Sequence, residues 1–428
     1  MTLMLNTTYA ETTDETQSTN NRVPMEDVQR FSNALHQIKR YYVKPIDDKE
    51  LFDNAIRGML NGLDPHSSYL DEKEFKELQT ATSGEFGGLG LEVTMEEGVI
   101  KVITPLLDTP AFKAGIKSGD YIIKIDAKAV QGLSLEDAVA SMRGKQGTPV
   151  QLTILRKGTN KPLSFKVIRE KIIIQSVTSE LLDHAYAYIR LSQFQATTSH
   201  DMEQAIKTLK QKAGTNKLQG MILDLRNNPG GLLDSAIQIS DDFIDNNQKN
   251  KEEIIVYTQG RLPGADFTAI ANPGDIIDNA PMVVLINNGS ASASEIVAGA
   301  LKDNKRAIIV GTQSFGKGSV QSVLPLDEKR AIKLTTALYF TPSGTSIQAK
   351  GITPDIVIEE ISVANSAQDS ALKGFNEASL HGHILNKSQD TLKDIQADTN
   401  KSDTQLMHDD YQLYAALTIL KGLVVAKR

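Results

Sequence analysis

Apolar residues recur at three- and four-residue steps through Val28, Phe31, Leu35, Ile38 and Tyr42, and again through Leu51, Ala55, Ile56, Met59 and Leu60. That spacing predicts two consecutive amphipathic helices. The run Leu63-Asp64-Pro65-His66-Ser67-Ser68-Tyr69 interrupts them with turn chemistry, and a third helix resumes over 71–78. At Gly84 the period changes. Gly87-Gly88-Leu89-Gly90-Leu91 opens a stretch of short alternating strands at 91–95, 99–103, 121–125 and 150–156, with one helix at 134–142 capped by Ser134 and Asp137. From Lys171 onward the units lengthen: a helix at 199–213, a buried strand at 220–225, a helix from Leu232, a strand at 282–286, a helix at 293–301 and a strand at 307–310. Strand alternating with helix at this spacing predicts a layered core in a mixed α/β fold. Residues 362–405 turn polar and read as a linker, after which Tyr411, Tyr414, Leu417, Ile419 and Leu420 mark a closing helix.

These shifts predict a flexible leader (1–23), an N-terminal helical region (24–84), a small strand-rich domain (85–169), an α/β core (170–361), and a linker with a C-terminal helical region (362–428). Several modules suit 428 residues, too many for one ordinary core. With 40% hydrophobic and 23% charged residues the chain can bury a sizeable core, and a net charge of −7 without a basic, aromatic-laced block argues against nucleic acid as a partner. The chain has no cysteine, which excludes disulfides, thiolate catalysis and Cys-based zinc sites. No run reaches the roughly 18 to 20 apolar residues of a spanning helix. The start, MTLMLNTTYA, fits the remnant of a signal peptide's apolar region and cleavage site, and fits a disordered start equally well.

Candidate chemistry gathers at three junctions. Asn287-Asn288-Gly289-Ser290-Ala291-Ser292-Ala293-Ser294-Glu295 lies between a predicted strand and a predicted helix. A hydroxyl there has unpaired helix N–H groups beside it, as an acyl-transfer nucleophile requires, although the same serines would serve as helix caps. Lys317, in Phe315-Gly316-Lys317-Gly318-Ser319-Val320-Gln321, stands among small residues after a buried strand. A lysine acts as a general base once desolvation draws its pKa from about 10.4 towards about 7, a differential of roughly 4 kcal/mol; a surface loop lysine is the ordinary alternative. Gln321, four residues on, is expected to hydrogen-bond and orient the amine. Leu225-Arg226-Asn227-Asn228-Pro229-Gly230-Gly231 ends another buried strand, and the N–H groups of Gly230 and Gly231 with that of Ala293 could form an oxyanion hole, though a tight turn alone also explains Pro-Gly-Gly.

Taken together and in this order, the three motifs resemble the carboxyl-terminal processing (tail-specific) protease family, with similarity running from about Val28 to Ile358 and again in the last helix. The resemblance implies a serine endopeptidase with Ser292 as nucleophile, chosen over Ser290 and Ser294 because it stands three before the glutamate. It implies Lys317 as base, Gln321 positioning the lysine, and Glu295 as a conformational support. It also implies a PDZ domain over 85–169 whose loop Gly88-Leu89-Gly90-Leu91 binds a substrate's chain-terminal carboxylate while the peptide adds to a sheet edge, and a coupling role for Arg143. Substrates would be proteins with flexible, apolar C-terminal tails, cleaved in the periplasm or otherwise in the bacterial cell envelope. A lipoprotein adaptor is an expected partner, homo-oligomers would form through the terminal helices, and no cofactor or metal is expected.

Other readings are weaker. Gly311 to Lys317 nearly spells a P-loop, yet Gly318 follows where Ser or Thr is needed, and 320–326 alternates like a strand instead of opening a helix. The first glycine cluster lacks the third glycine of a dinucleotide fingerprint. His381 and His383 offer at most an adventitious metal site in the linker, and His66, the histidine of the shared turn motif, suits a structural role better than a Ser-His-Asp triad. The competing class is a PDZ scaffold on a catalytically silent core, or a protease inactive without its adaptor.

Overall fold

The computed structural model describes residues 23–361 and 405–427, apart from 97, 107, 160, 215–216, 248–251 and 262–263. The leader up to residue 22, the expected linker over 362–404 and both linker histidines lie outside the described residues. The chain divides into two compact units, Met1–Tyr69 and Leu70–Arg428.

In the first unit, α1 (Met25–Tyr41) and α2 (Asp48–Asn61) are the two helices of the opening pattern. Helix α1 has no buried residue and exposes Val28, Phe31 and Ile38, whereas α2 buries Leu51 and Leu60. The Asp64 carboxylate closes the following turn, accepting from the His66 and Ser67 N–H groups at 2.8 and 3.0 Å and from Ser67 Oγ at 2.6 Å. The short strand β1 (Ser68–Leu70) follows.

The second unit opens with α3 (Glu72–Ser83). Its N-cap Asp71 accepts from the Lys73 and Glu74 N–H groups while the Glu74 carboxylate accepts from the Asp71 N–H, which fixes the first turn. Gly84 ends the helix in the left-handed conformation, φ 73°. The strand-rich domain follows: β2 (Glu85–Gly88), β3 (Leu91–Glu96), β4 (Val99–Pro105), α4 (Pro110–Lys113), β5 (Tyr121–Ile125), β6 (Lys128–Ala129), α5 (Leu135–Met142), β7 (Pro149–Leu155), β8 (Leu163–Ile168) and β9 (Glu170–Ile173). Strands β3-β4-β5-β7-β8 form one antiparallel sheet around Ile100, Val102, Ile122, Leu152 and Ile154, while β2 and β9 pair as a separate ribbon leading into and out of it.

The core comprises β10 (Val177–Leu182), β11 (Tyr186–Leu191), α6 (Thr198–Ala213), β12 (Gly220–Asp224), α7 (Leu233–Asp241), β13 (Ile254–Gly260), β14 (Phe267–Ile270), β15 (Met282–Ile286), α8 (Ala293–Asp303), β16 (Ile308–Gly311), β17 (Ser319–Pro325), β18 (Ala331–Phe340), β19 (Ile356–Val357) and the closing helix α9 (Tyr411–Lys427). A six-stranded sheet runs β10-β11-β12-β15-β16-β19, parallel from β11 onward and antiparallel at β10. Both faces are covered, as a parallel sheet requires. Met221, Leu223, Met282, Val284 and Ile286 point to the layer of α6, α7 and α8, while Ile222, Val283 and Leu285 point to α9. The apolar face of α9 is therefore used within the subunit. Strands β14, β13, β18 and β17 make a second, antiparallel sheet.

Candidate active site

The loops after β12, β15 and β16 leave the carboxyl ends of three adjacent parallel strands, where open α/β sheets form their binding crevices. They carry the three motifs.

The first two loops are laced together. Asn227 N–H donates to Asn287 Oδ1 and Asn287 Nδ2 donates to Asn227 Oδ1, both at 2.9 Å, while the Ala291 N–H donates to the Asn228 carbonyl at 3.0 Å. Asn227 takes φ 57°, a left-handed conformation that asparagine tolerates better than most residues. Within this lacing the three serines separate by geometry. Ser290 Oγ donates to the Leu225 carbonyl (2.8 Å) and Ser294 Oγ to the Asn228 carbonyl (2.9 Å), and both residues are fully buried. Ser292 is half-buried and opens on a cavity of about 640 Å³ also lined by Gly230, Gly231, Ala293, Lys317, Gln321 and Tyr339. Its backbone sits at φ 54°, ψ −114°, a strained conformation held by its surroundings.

Glu295 joins the nucleophile loop to the lysine loop. This fully buried carboxylate accepts from the Ser292 N–H (2.8 Å), Ser314 Oγ (2.6 Å), the Gly316 N–H (2.6 Å) and the Lys317 N–H (2.9 Å). Four donors converge on one carboxylate, and the main-chain N–H groups of Ser292 and Lys317 share its Oε2. The Lys317 amine is held below the ordinary lysine range, first by burial and then by the charge of Lys333; Glu295 opposes both.

Gln321 lines the same cavity, but the expected bond to the lysine amine is replaced. Its amide nitrogen donates to Ser319 Oγ at 2.9 Å, with longer contacts to the Ser319 carbonyl and Thr335 Oγ1. Four residues bring side chains together on a helix, whereas β17 is a strand rising about 3.3 Å per residue. The Gly230 N–H is also committed, donating to Asn228 Oδ1 at 2.9 Å, so Gly231 and Ala293 carry the N–H groups better placed for an oxyanion. Gly230 itself has no room for a side chain: a Cβ there would lie 2.8 Å from both the Ala291 carbonyl oxygen and Ser292 Cβ.

In the strand-rich domain, the Leu89 and Gly90 carbonyls accept from the Ala111 and Leu106 N–H groups, each at 2.9 Å, which sets the peptide planes of the expected carboxylate loop between Gly88 and Leu91. Arg143 lies apart from Ser292. Its guanidinium stacks 4.4 Å from the Phe86 ring in a separate cavity of about 990 Å³ between α3 and α5. Helix α3 lines both cavities, with Leu78, Ala81 and Thr82 on the Ser292 side and Lys76, Gln79 and Thr80 on the Arg143 side.

Sequence reasoning missed Tyr339 and Lys333 on β18. Neither sits in a recognisable motif, and the alternation of 331–340 signals only a strand.

Comparison with known proteins agrees with this architecture. Residues 185–358 match Peptidase family S41, 87–179 match a PDZ domain, and 2–74 match the Activating protease CtpB N-terminal domain. A Carboxy-terminal-processing protease of Bartonella bacilliformis is 49% identical over 397 residues, covering 92% of this chain and 88% of that protein. In Bacillus subtilis, Carboxy-terminal processing protease CtpA is 38% identical over 332 residues (77% of this chain, 68% of its own) and CtpB 34% identical over 384 residues (89% and 78%). Match, coverage and domain order together show that the chain belongs to the PDZ-containing carboxy-terminal-processing proteases of peptidase family S41, serine peptidases that hydrolyse protein substrates.

Proposed function

We infer that this chain cleaves proteins near flexible, apolar C-termini through an acyl-enzyme at Ser292, with Lys317 as general base. The observation that carries the reading is the Glu295 tie. One buried carboxylate holds the main chains of Ser292 and Lys317, and of the three candidate serines it is Ser292 that opens on the cavity shared with the lysine. In the reaction, Ser292 Oγ attacks the scissile carbonyl carbon and its proton passes to the neutral Lys317 amine. The resulting oxyanion is received by the Gly231 and Ala293 N–H groups. The ammonium then protonates the leaving amine as the C–N bond breaks, and water, deprotonated by the same amine, hydrolyses the ester. The role of Gln321 is support of the strand beside the lysine. The PDZ loop Gly88–Leu91 captures the chain-terminal carboxylate, and Arg143 acts with it at the second cavity.

We further propose an exported, cell-envelope location and work alongside a lipoprotein adaptor, both carried by the family resemblance. Self-association through α1 is proposed on its exposed apolar side chains, and sedimentation of a Phe31→Glu variant tests it.

The decisive experiment compares wild type, Ser292→Ala and Lys317→Ala on an unstructured protein with an apolar tail across pH. Wild-type turnover is expected to fall as pH drops and the lysine amine gains its proton, and both variants are expected to lose at least about a thousandfold in kcat. Cleavage by Ser292→Ala at the wild-type rate would reject the assignment. An inactive wild type that becomes active only with an adaptor or tail peptide would favour the adaptor-dependent form.

A further inference from the structure

The charged side chains that line the Ser292 cavity, among the described residues, are Asp234, Lys317 and Lys333. Two of them are accounted for. Asp234 is exposed in the first turn of α7, where the helix dipole favours an acid, and Lys317 is the candidate base. Lys333 is half-buried on β18, and its ammonium has neither a hydrogen bond nor an ion pair among the described residues. An ammonium carries three donors, and withdrawing part of it from water without an acceptor is a standing cost. The strand register shows where those donors stand. Lys333 pairs with Val323 and Thr335 with Gln321 across β17 and β18, and Lys333, Val323 and Gln321 all line the cavity. Much of the remaining wall is apolar, made by Leu78, Leu232, Leu233, Ile296 and Val320. Apolar walls with one uncommitted cation suit an apolar peptide that carries a single negative charge.

We propose that Lys333 is a specificity-determining residue of the peptidase site: its ammonium pairs with a carboxylate in the substrate segment lying at the scissile bond, supplied by an Asp or Glu side chain or by the chain terminus itself. The inference rests on the Ser292–Lys317 reading and adds a substrate class to it. Selection follows from what each substrate does for the ammonium. A carboxylate gives it the acceptor it lacks, a neutral isostere leaves it without one, and a second cation is repelled. The cavity is partly open to water, so the discrimination is about 5- to 20-fold, below that of a fully desolvated pair. The loop Gly88–Leu91 lies in another domain and offers main-chain donors, so substitutions at Lys333 leave that second carboxylate reader intact.

The test uses full-length wild type, Ser292→Ala, Lys333→Arg, Lys333→Gln and Lys333→Glu, each checked by thermal unfolding, with internally quenched peptides of one apolar sequence. Matched peptides carry Glu, Gln or Lys at each of three positions on either side of the bond cut, and end in a free or an amidated terminus. Values of kcat/KM are taken on the alkaline plateau and the Glu-to-Gln ratio is formed within each chain, so any effect of residue 333 on the titration of Lys317 cancels. We expect wild type and Lys333→Arg to favour Glu about 5- to 20-fold at one position, Lys333→Gln to bring the ratio within about twofold of unity, and Lys333→Glu to favour the Lys peptide. If the terminus is the source, a preference for the free over the amidated end replaces the Glu preference and disappears in Lys333→Gln. A terminal preference that survives there without any Glu preference, a ratio near unity at every position in wild type, or equal Glu preferences in wild type and Lys333→Gln would each overturn the proposal. If Lys333→Glu fails to fold, Lys333→Gln against Lys333→Arg decides. Where turnover is too slow to measure, the same peptides are titrated into Ser292→Ala and into Ser292→Ala, Lys333→Gln by fluorescence anisotropy, and the ratios of Kd decide by the same criteria. Cleavage by Ser292→Ala at the wild-type rate brings down the reading of the site; a dead Ser292→Ala with preferences indifferent to residue 333 brings down only the role of Lys333.

Discussion

Burial and two neighbouring charges set how the candidate base titrates. Lys317 loses its proton more easily than an ordinary lysine because burial penalises the ammonium and Lys333 repels it, while Glu295 favours the charged form. The sign of a Lys333→Gln substitution follows directly. Removing a like charge stabilises the ammonium, raises the pKa of Lys317, and moves the acid limb of the rate profile to higher pH. Turnover at a pH below the wild-type midpoint should therefore drop while the alkaline plateau is retained. Initial rates measured across pH for both proteins check this, and an unmoved limb would mean that a group other than Lys317 controls it. Glu295 shows why proximity alone is a poor guide at this scale. Its charge opposes the function of the lysine side chain, yet its Oε2 fixes the lysine's main chain.

At the scale of elements, strand ends hold the site and other elements hold the strand ends. The Arg226 guanidinium, at the end of β12, donates to Asp224 (2.6 Å) and to Asp410 (2.6 Å) and Gln412 (3.1 Å) beside the start of α9. Asp224 is fully buried, so Arg226→Met would leave its charge without a cation, held only by the Tyr188 hydroxyl and the residue 226 N–H, at a cost of about 3 to 5 kcal/mol. Chemical denaturation should show that loss, and the double variant Asp224→Asn, Arg226→Met should recover much of it; equal losses in single and double variants would contradict the pairing. This clamp was not readable in advance, since Arg226 and Asp410 stand far apart in the chain and nothing local couples them. What could be read was periodic. Strand 282–286 and the apolar period of α1, α2 and α6 are set by local spacing, and each surfaced from the sequence within a few residues of its observed bounds. Gln321 illustrates the limit. The bond expected across its four-residue offset from Lys317 stood beside the reading of 320–326 as a strand, and the pairing of β17 with β18 bears out the strand, on which that offset separates the two side chains. The Gly230 N–H was equally illegible, because its capture depends on the rotamer of Asn228 two residues before it.

Across the whole core, one sheet is sandwiched between α6, α7 and α8 on one face and α9 on the other, and α9 stands far from the sheet's strands in sequence. Its Leu413, Leu417, Leu420 and Val424 are buried against Ile222, Val283, Leu285 and Val310. The approach is close: a Cβ on Gly220 would lie 2.7 Å from the Leu420 side chain. Burying four such side chains contributes roughly 6 to 12 kcal/mol at about 1.5 to 3 each. A domain's net stability is about 5 to 15 kcal/mol, so the core cannot spare the helix. A chain ending at Ile361 should accordingly be insoluble or lack a cooperative thermal transition, and it should be inactive, although every residue assigned to catalysis is still present. Adding a peptide of residues 405–428 in excess should restore folding by mass action, with a transition temperature that climbs with peptide concentration. If the shortened chain instead melts cooperatively near the wild-type temperature, α9 is an appendage and the sheet is stable with one face uncovered. The helix thus stands to the fold as Glu295 stands to the site: it takes no part in the chemistry, and the geometry that permits the chemistry depends on it.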